Sequence, residues 1–347
     1  MSAPHAYDCP AADRLVDDAI RAIGAEIDAL AIPRLLGVVL GGGYARGEGG
    51  VILRASRASQ VPSPKSQDPG RVPDGQPATC DLRPATPEEP ALSNDLDFYV
   101  VAEDGASPAD LAAIAAALRP VSEKWTARLG VDVDFSPPKT PWRIRHDEER
   151  LMIQELVHGY CDVAGRPGAE LFRDVASRDP SALPAMEAVR LLVNRGAGLL
   201  LAAEPGAEPG FVARNINKAI LGCGDARLIA RGGYRWRAEE RAEALGDPLY
   251  AAAVAWKFRP SPEPVCDWET ARDIWLAAVD GIGSAHATLR ARSLRAALRW
   301  IARRRTLGPP RTLGMDPLVR ILGEMVPAVR DRAPFPPSLR RDWDIFN

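Results

Sequence analysis

Two aspartates two residues apart, Asp95 and Asp97 in "NDLDF" (94–98), are followed by a second such pair, Asp132 and Asp134 in "VDVDF" (131–135). In an extended strand, alternation puts both members of a pair on one face, about 7 Å apart. Carboxylates so placed repel each other unless positive charge lies between them. Magnesium suits such a place: it is hard, takes oxygen ligands, and is commonly held by one or two carboxylates together with substrate phosphates. One or two such ions can clamp the attacking and leaving oxygens of an in-line displacement at phosphorus. The bland alternative is an edge strand whose acids face water. Upstream lies "LGVVLGGGYARGEGG" (36–50), an apolar run that empties into Gly41, Gly42 and Gly43. Missing β-carbons let a ligand approach the backbone closely, and a helix beginning near Gly43 would offer free N–H groups to a triphosphate. The run is neither the Gly-x-Gly-x-x-Gly fingerprint nor a P-loop, because no Gly-Lys-Ser/Thr is present.

The elements that must position these residues are legible as periodicities. Residues 11–30 space apolar side chains at three and four and predict an amphipathic helix. "RLLGVVL" (34–40) predicts a buried strand, 94–104 and 131–136 two alternating strands. Ser107 and Pro108 open a helix that the pattern breaks near Pro120. Residues 147–165 read as a helix ending near Gly159, then a short strand. Residues 54–92 are rich in Pro, Ser, Gly and charge, without periodicity, and predict a disordered insertion; an ordered lid is the alternative. From about residue 181 every segment reads as helix. The expected class is α+β, with a small mixed-sheet domain over 1–170 and an all-helical domain over 181–347.

Composition narrows the partners. The chain has 347 residues, is 46% hydrophobic and carries a formal charge of -2, so its overall field does not favour nucleic acid. No apolar run approaches the ~20 residues of a membrane span, and the acidic N-terminus lacks a signal-peptide core. Five scattered cysteines show no zinc spacing and no disulfide framework. A cytoplasmic location is expected by elimination. A stretch without Asp or Glu, 281–315, carries eight arginines around Trp300 and could grip phosphates, although a solvated helix face is the preferred reading.

"GGYARGE" (42–48), "NDLDF" and "VDVDF" together resemble the nucleotidyltransferase superfamily, the fold shared with DNA polymerase β, in the flavour of its minimal and aminoglycoside-type bacterial members. The resemblance covers roughly residues 34–165. It implies that Gly42 and Gly43 hold the triphosphate, that Asp95 and Asp97 bind the metals, and that Asp134 is the third carboxylate, preferred over Asp132. Asp134 would then ligate a metal and help deprotonate the attacking hydroxyl. Arg46 would touch phosphate or brace the loop. The implied activity is Mg²⁺-dependent transfer of a nucleoside monophosphate from an NTP, ATP favoured, to a hydroxyl of a small molecule or protein. Gly43 stands where the family usually has Ser, and the gap from Gly47 to Asp95 is longer than usual. "GFVARNINKAILGCGDARLIARGGY" (210–234) loosely resembles the helical domain of antibiotic-modifying members; there Lys218 would reach a phosphate, or be an ordinary exposed lysine.

Alternatives stay open at this point. The chain could be an inactive nucleotide-binding scaffold or an RNA-end nucleotidyltransferase. Glu148, Glu149 and Glu155 are equal candidates for a general base. His5, His146, His158 and His286 show no metal-ligand spacing and read as surface or core residues. The tryptophans after residue 230 read as packing for the helical domain.

Overall fold

A four-stranded mixed sheet, in the order β5-β4-β1-β6, forms the centre of the N-terminal part. The computed structural model describes residues 5–54, 89–283 and 317–336. Strand β1 (Leu35–Leu40) pairs antiparallel with β4 (Leu96–Ala102) on one side and with β6 (Cys161–Gly165) on the other. The short β5 (Val133–Phe135) runs parallel to β4. Alternation sorts the side chains. Val38, Leu40, Phe98 and Val100 face helices α1 (Pro10–Ala29) and α3 (Pro108–Leu129). Val39, Tyr99 and Val101 face α4 (Pro141–His146), α5 (Leu151–His158) and the single turn α6 (Gly168–Leu171). Strand β1 runs through Gly41 into the one-turn helix α2 (Gly42–Ala45).

Two expectations fail here for physical reasons. Helix α3 does not break near Pro120 but runs through it. An interior proline costs about 3 kcal/mol. Pro120 points to solvent, while Ile114, Leu118, Val121 and Trp125 on either side are buried, each contributing about 1.5–3 kcal/mol. The second concerns 54–92. Its last residues, Glu89–Leu92, form strand β3, which pairs antiparallel with β2 (Val51–Arg54) from Val51–Leu92 to Arg54–Glu89. Four residues are too short to show a period, and the partner strand supplies the order. The remainder, 55–88, lies outside the described residues.

Strands end at Gly165 among the described residues, and helices follow: α7 (Ala185–Ala202), α8 (Pro209–Ala230), α9 (Ala238–Leu245), α10 (Pro248–Phe258), α11 (Trp268–Gly283) and α12 (Pro317–Arg330). The layout is α+β. The helical core packs Leu192, Leu200, Ile220, Trp275 and Met325 around the α7–α8 pair. Trp268 and Trp275 act as read from sequence, donating their indole N–H groups to the carbonyls of Leu199 (2.9 Å) and Leu192 (2.8 Å). The arginine-rich stretch with Trp300 lies, from residue 284 on, outside the described residues. No helix among the described residues is long and apolar enough to cross a membrane.

Candidate active site

The glycine turn is built to touch a carboxylate. Gly41 N–H donates to the carbonyl of Asp97 (2.8 Å), which locks the turn to the start of β4. Gly42 has φ +70°, and a β-carbon there would lie 2.8 Å from Asp97 Oδ2. A side chain at 42 would therefore meet both backbone strain and the Asp97 carboxylate. The expected helix start near Gly43 is met by α2, which is only one turn long.

Register places the acids together. Asp97 pairs directly with Asp134 across the parallel β4–β5 ladder, so their side chains leave the same face of the sheet on neighbouring strands about 4.8 Å apart. Asp95, two residues earlier, shares that face, and Asp132 follows the same alternation but lies below the ladder, offering its carbonyl to Leu96 N–H (2.8 Å). Asp97 is exposed at the start of β4, although protein crowds its carboxylate. Desolvation and the charges of Asp95 and Asp134 push its pKa up to about 6, against the pull of Lys218 and Arg46. Desolvation, Asp132 and Asp95 raise Asp134 as well. The acids share a face without converging: among the described residues no three His, Cys, Asp or Glu side chains stand close enough together to hold a metal ion. Asp95 instead leans to Arg214 (3.8 Å). Uncompensated like charges on one sheet face behave in this way. The donor set itself, three hard oxygen ligands beside a turn that admits no β-carbon, fits magnesium.

Above the acids, a cavity of about 630 Å³ opens between the sheet domain and the helices. Of the residues singled out from sequence, Asp95, Arg46, Glu155 and Lys218 line it. Gly42, Gly43, Asp97 and Asp134 are not among the lining residues; Asp97 and Asp134 feel the charge of Asp95, which is. The opposite wall is cationic. Helix α8 contributes Arg214 and Lys218, and α7 contributes Arg195. Burial, then Arg195, lowers the Lys218 amine, while Asp95 and Asp97 hold it up. Arg46 lays its stem against Gly159, where a β-carbon would overlap it. Its guanidinium lies 3.7 Å from Glu155, and its buried Nε has no hydrogen-bond partner. The three glutamates separate: Glu148 and Glu149 pair with Arg178 (2.9 and 3.4 Å), while Glu155 lines the cavity and accepts from Tyr234 Oη (3.0 Å).

Three residues that sequence reasoning passed over hold this site in place. Tyr44 is buried; its hydroxyl donates to Gly50 O (2.7 Å) and accepts from the N–H groups of Ser93 (3.1 Å) and Asn94 (3.4 Å). It thereby ties the glycine turn to the residues just before Asp95. Glu48, only 2% exposed, accepts from Ala238 N–H at the start of α9 (2.8 Å) and from Lys257 Nζ of α10 (2.5 Å). His5 is buried, with Nδ1 2.9 Å from Tyr44 O and Nε2 3.0 Å from Asp17 Oδ1. Both partners only accept, so both ring nitrogens carry protons. The Cys161 sulfur at 3.9 Å, Asp17 and the Tyr44 carbonyl hold the imidazolium up to about 9 against burial. The "YARGE" string carried the first two as a pattern; nothing in sequence marked His5, 39 residues before its partner carbonyl.

No family model, curated protein or solved structure matches the chain.

Proposed function

We propose that the protein transfers a nucleoside monophosphate from a nucleoside triphosphate, ATP favoured, to a hydroxyl of a small molecule or protein, within the cleft between its sheet and helical parts. The acceptor oxygen forms a bond to the α-phosphorus, the α–β bridging P–O bond breaks, and pyrophosphate leaves with the electron pair. The observation that carries this reading is the β4–β5 register: Asp134 stands opposite Asp97, and Asp95 shares their face, across a cavity from a cationic wall. Asp95, Asp97 and Asp134 would hold magnesium, which when bound supplies charge neutralisation at the phosphoryl group. The Asp134 carboxylate faces the site from the neighbouring strand and takes the hydroxyl proton. Arg214 and Lys218 neutralise the departing charge from α8. Catalysis is then positioning and electrostatics, with no covalent enzyme intermediate.

Thermal unfolding with each of the four nucleoside triphosphates, with and without Mg²⁺, tests the donor site. A triphosphate at 100 times its Kd raises stability by about 2.7 kcal/mol, and the reading requires that this depend on Mg²⁺ and vanish in Asp95→Asn, Asp97→Asn. Pyrophosphate release with hydroxyl acceptors tests the transfer. If no triphosphate stabilises the protein, the reading fails. Mg²⁺-independent nucleotide binding without release favours an inactive nucleotide-binding protein, consistent with Asp95 already leaning on Arg214.

A further inference from the structure

We propose that the cavity is the acceptor chamber, and that the acceptor it takes is a small hydroxyl compound with an apolar body and no amine. The proposal deepens the reading above and rests on it for the transfer to that hydroxyl.

The cavity adjoins the donor end of the site at one edge. The glycine turn, Asp97 and Asp134 do not line it, and Asp95 is the one expected metal ligand that does. At about 630 Å³ it has the size of a small-molecule site. Its neutral polar side chains are already engaged. Trp256 Nε1 donates to the carbonyls of Ser261 and Glu263 (3.1 Å each), and Ser261 Oγ donates to Glu263 O (2.9 Å). Asn217 donates to Ala213 O (2.8 Å) and accepts from Val265 N–H (3.2 Å). Asn94 Oδ1 accepts from Gly50 N–H (2.6 Å) and Ser93 Oγ (3.5 Å). The carboxylates are engaged as well. Glu208 caps α8 by accepting from the N–H groups of Gly210 (2.9 Å) and Phe211 (2.8 Å). Asp225 holds Arg241 (2.9 Å) and accepts from Tyr250 Oη (2.6 Å). Glu155 accepts from Tyr234 and faces Arg46, and Asp95 leans to Arg214. An amine entering here meets no carboxylate without a partner.

It meets positive charge instead. Arg46, Arg195, Arg214, Lys218, Arg241 and Lys257 line the cavity against four acids. Arg195 leaves α7 and crosses α8 at Gly222, where a β-carbon would overlap its Cγ. Its buried Nε has no hydrogen-bond partner, and among the described residues neither Arg195 nor Lys218 makes an ion pair. Like charges brought together in such a place repel and exclude the wrong partner. The remaining wall is apolar: Ile52, Leu191, Leu221, Pro260 and Pro262, with Trp256 among them. Because the Trp256 N–H is spent on its own loop, the indole offers only carbon to the cavity. Burial against this wall draws in an apolar body, while the hydroxyl reaches the acids at the Asp95 edge. An aminoglycoside, polyol and polycation at once, is the acceptor to which such a wall is least suited.

Calorimetric titration of the full-length protein with naphthylethanol, with naphthylethylammonium and with the aminoglycoside kanamycin reads the chamber without turnover. The alcohol binds about 10-fold or more tightly than its ammonium counterpart, and kanamycin does not bind. Trp256→Ala weakens the alcohol by about 10-fold and leaves ATP affinity as it was; Trp256→Phe recovers part of the loss. Arg195→Met narrows the gap between alcohol and ammonium without weakening the alcohol. Failure of the alcohol to bind, or an ammonium compound binding as tightly, overturns the proposal. So does a Trp256→Ala protein in which ATP is weakened as much as the alcohol, which would give the wall to the nucleobase. Kanamycin that gains the mass of AMP on incubation with Mg²⁺ and ATP overturns the proposal and upholds the transfer. If the alcohol binds through Trp256 while no triphosphate binds, the chemistry of the chamber stands and the nucleotidyl-transfer reading falls.

Discussion

Glu48→Gln gives a sharp test of how the glycine turn is held to the helical part. The carboxylate is buried and joins three elements: its own loop, the N-terminus of α9 through Ala238, and Lys257 of α10. Burial opposes its charge, but Lys257, Arg241 and Arg46 outweigh burial and lower its pKa from 4.5 to about 2. At about 1.36 kcal/mol per pH unit, that is about 3.4 kcal/mol of stability at neutral pH. Part of this is returned at Lys257, whose buried amine is itself pulled down by desolvation. A glutamine keeps an oxygen for Ala238 and loses the charge, leaving Lys257 buried and unpaired. The expected loss is about 2–3 kcal/mol, at or just below the range for breaking a buried ion pair. Because the folded-state pKa is depressed, this stabilisation is complete above pH 4.5 and is lost as pH falls towards 2. By linkage, the advantage of the wild type shrinks to about three-fifths at about pH 3.5. Urea unfolding followed by tryptophan fluorescence, at neutral pH and at about pH 3.5, measures both numbers. A loss under about 0.5 kcal/mol, the ordinary surface value, or a difference indifferent to pH, would refute the clamp.

Three further outcomes follow from the site. Asp97→Asn should raise the melting temperature at neutral pH, because a pKa held up near 6 means that ionised Asp97 destabilises the fold as pH rises through that value. The same change should lower pyrophosphate release by about 10²–10³-fold; a variant both less stable and fully active would contradict the electrostatics. Gly42→Ala should cost about 1–3 kcal/mol for its left-handed backbone and also depress activity by displacing Asp97 Oδ2; loss of stability with unchanged turnover would separate the turn from the chemistry. His5→Phe should destabilise by about 1–3 kcal/mol below pH 6.5. Its folded pKa is raised to about 9, so the difference from wild type should fade as pH climbs through that value. A constant difference from pH 6 to about pH 9.5 would mean that His5 contributes shape alone.

The half of the cleft that was readable in sequence is the half built on a period of two. Alternation alone puts Asp95 and Asp97 on one face, and "VDVDF" does the same for Asp132 and Asp134. Choosing between those two needs the register, which is a property of pairing: parallel β5 slides alongside β4 until Asp134 meets Asp97, leaving Asp132 beyond the ladder. Pro120 misleads because propensity is local, whereas the buried stripe that carries α3 through it is tertiary. The cationic wall is harder still. Arg214, Lys218 and Gly222 recur at four-residue steps, so a shared face of α8 was visible in principle. What that face looks onto was not, and Arg195 is free only because Asp225 and Glu155, distant in sequence, are occupied by Arg241, Tyr250, Tyr234 and Arg46. An unpaired charge is defined by what every neighbour is already doing. For that reason the acidic face of the sheet can be inferred from a motif, whereas the cationic wall opposite it emerges only once all the surrounding partners are in place.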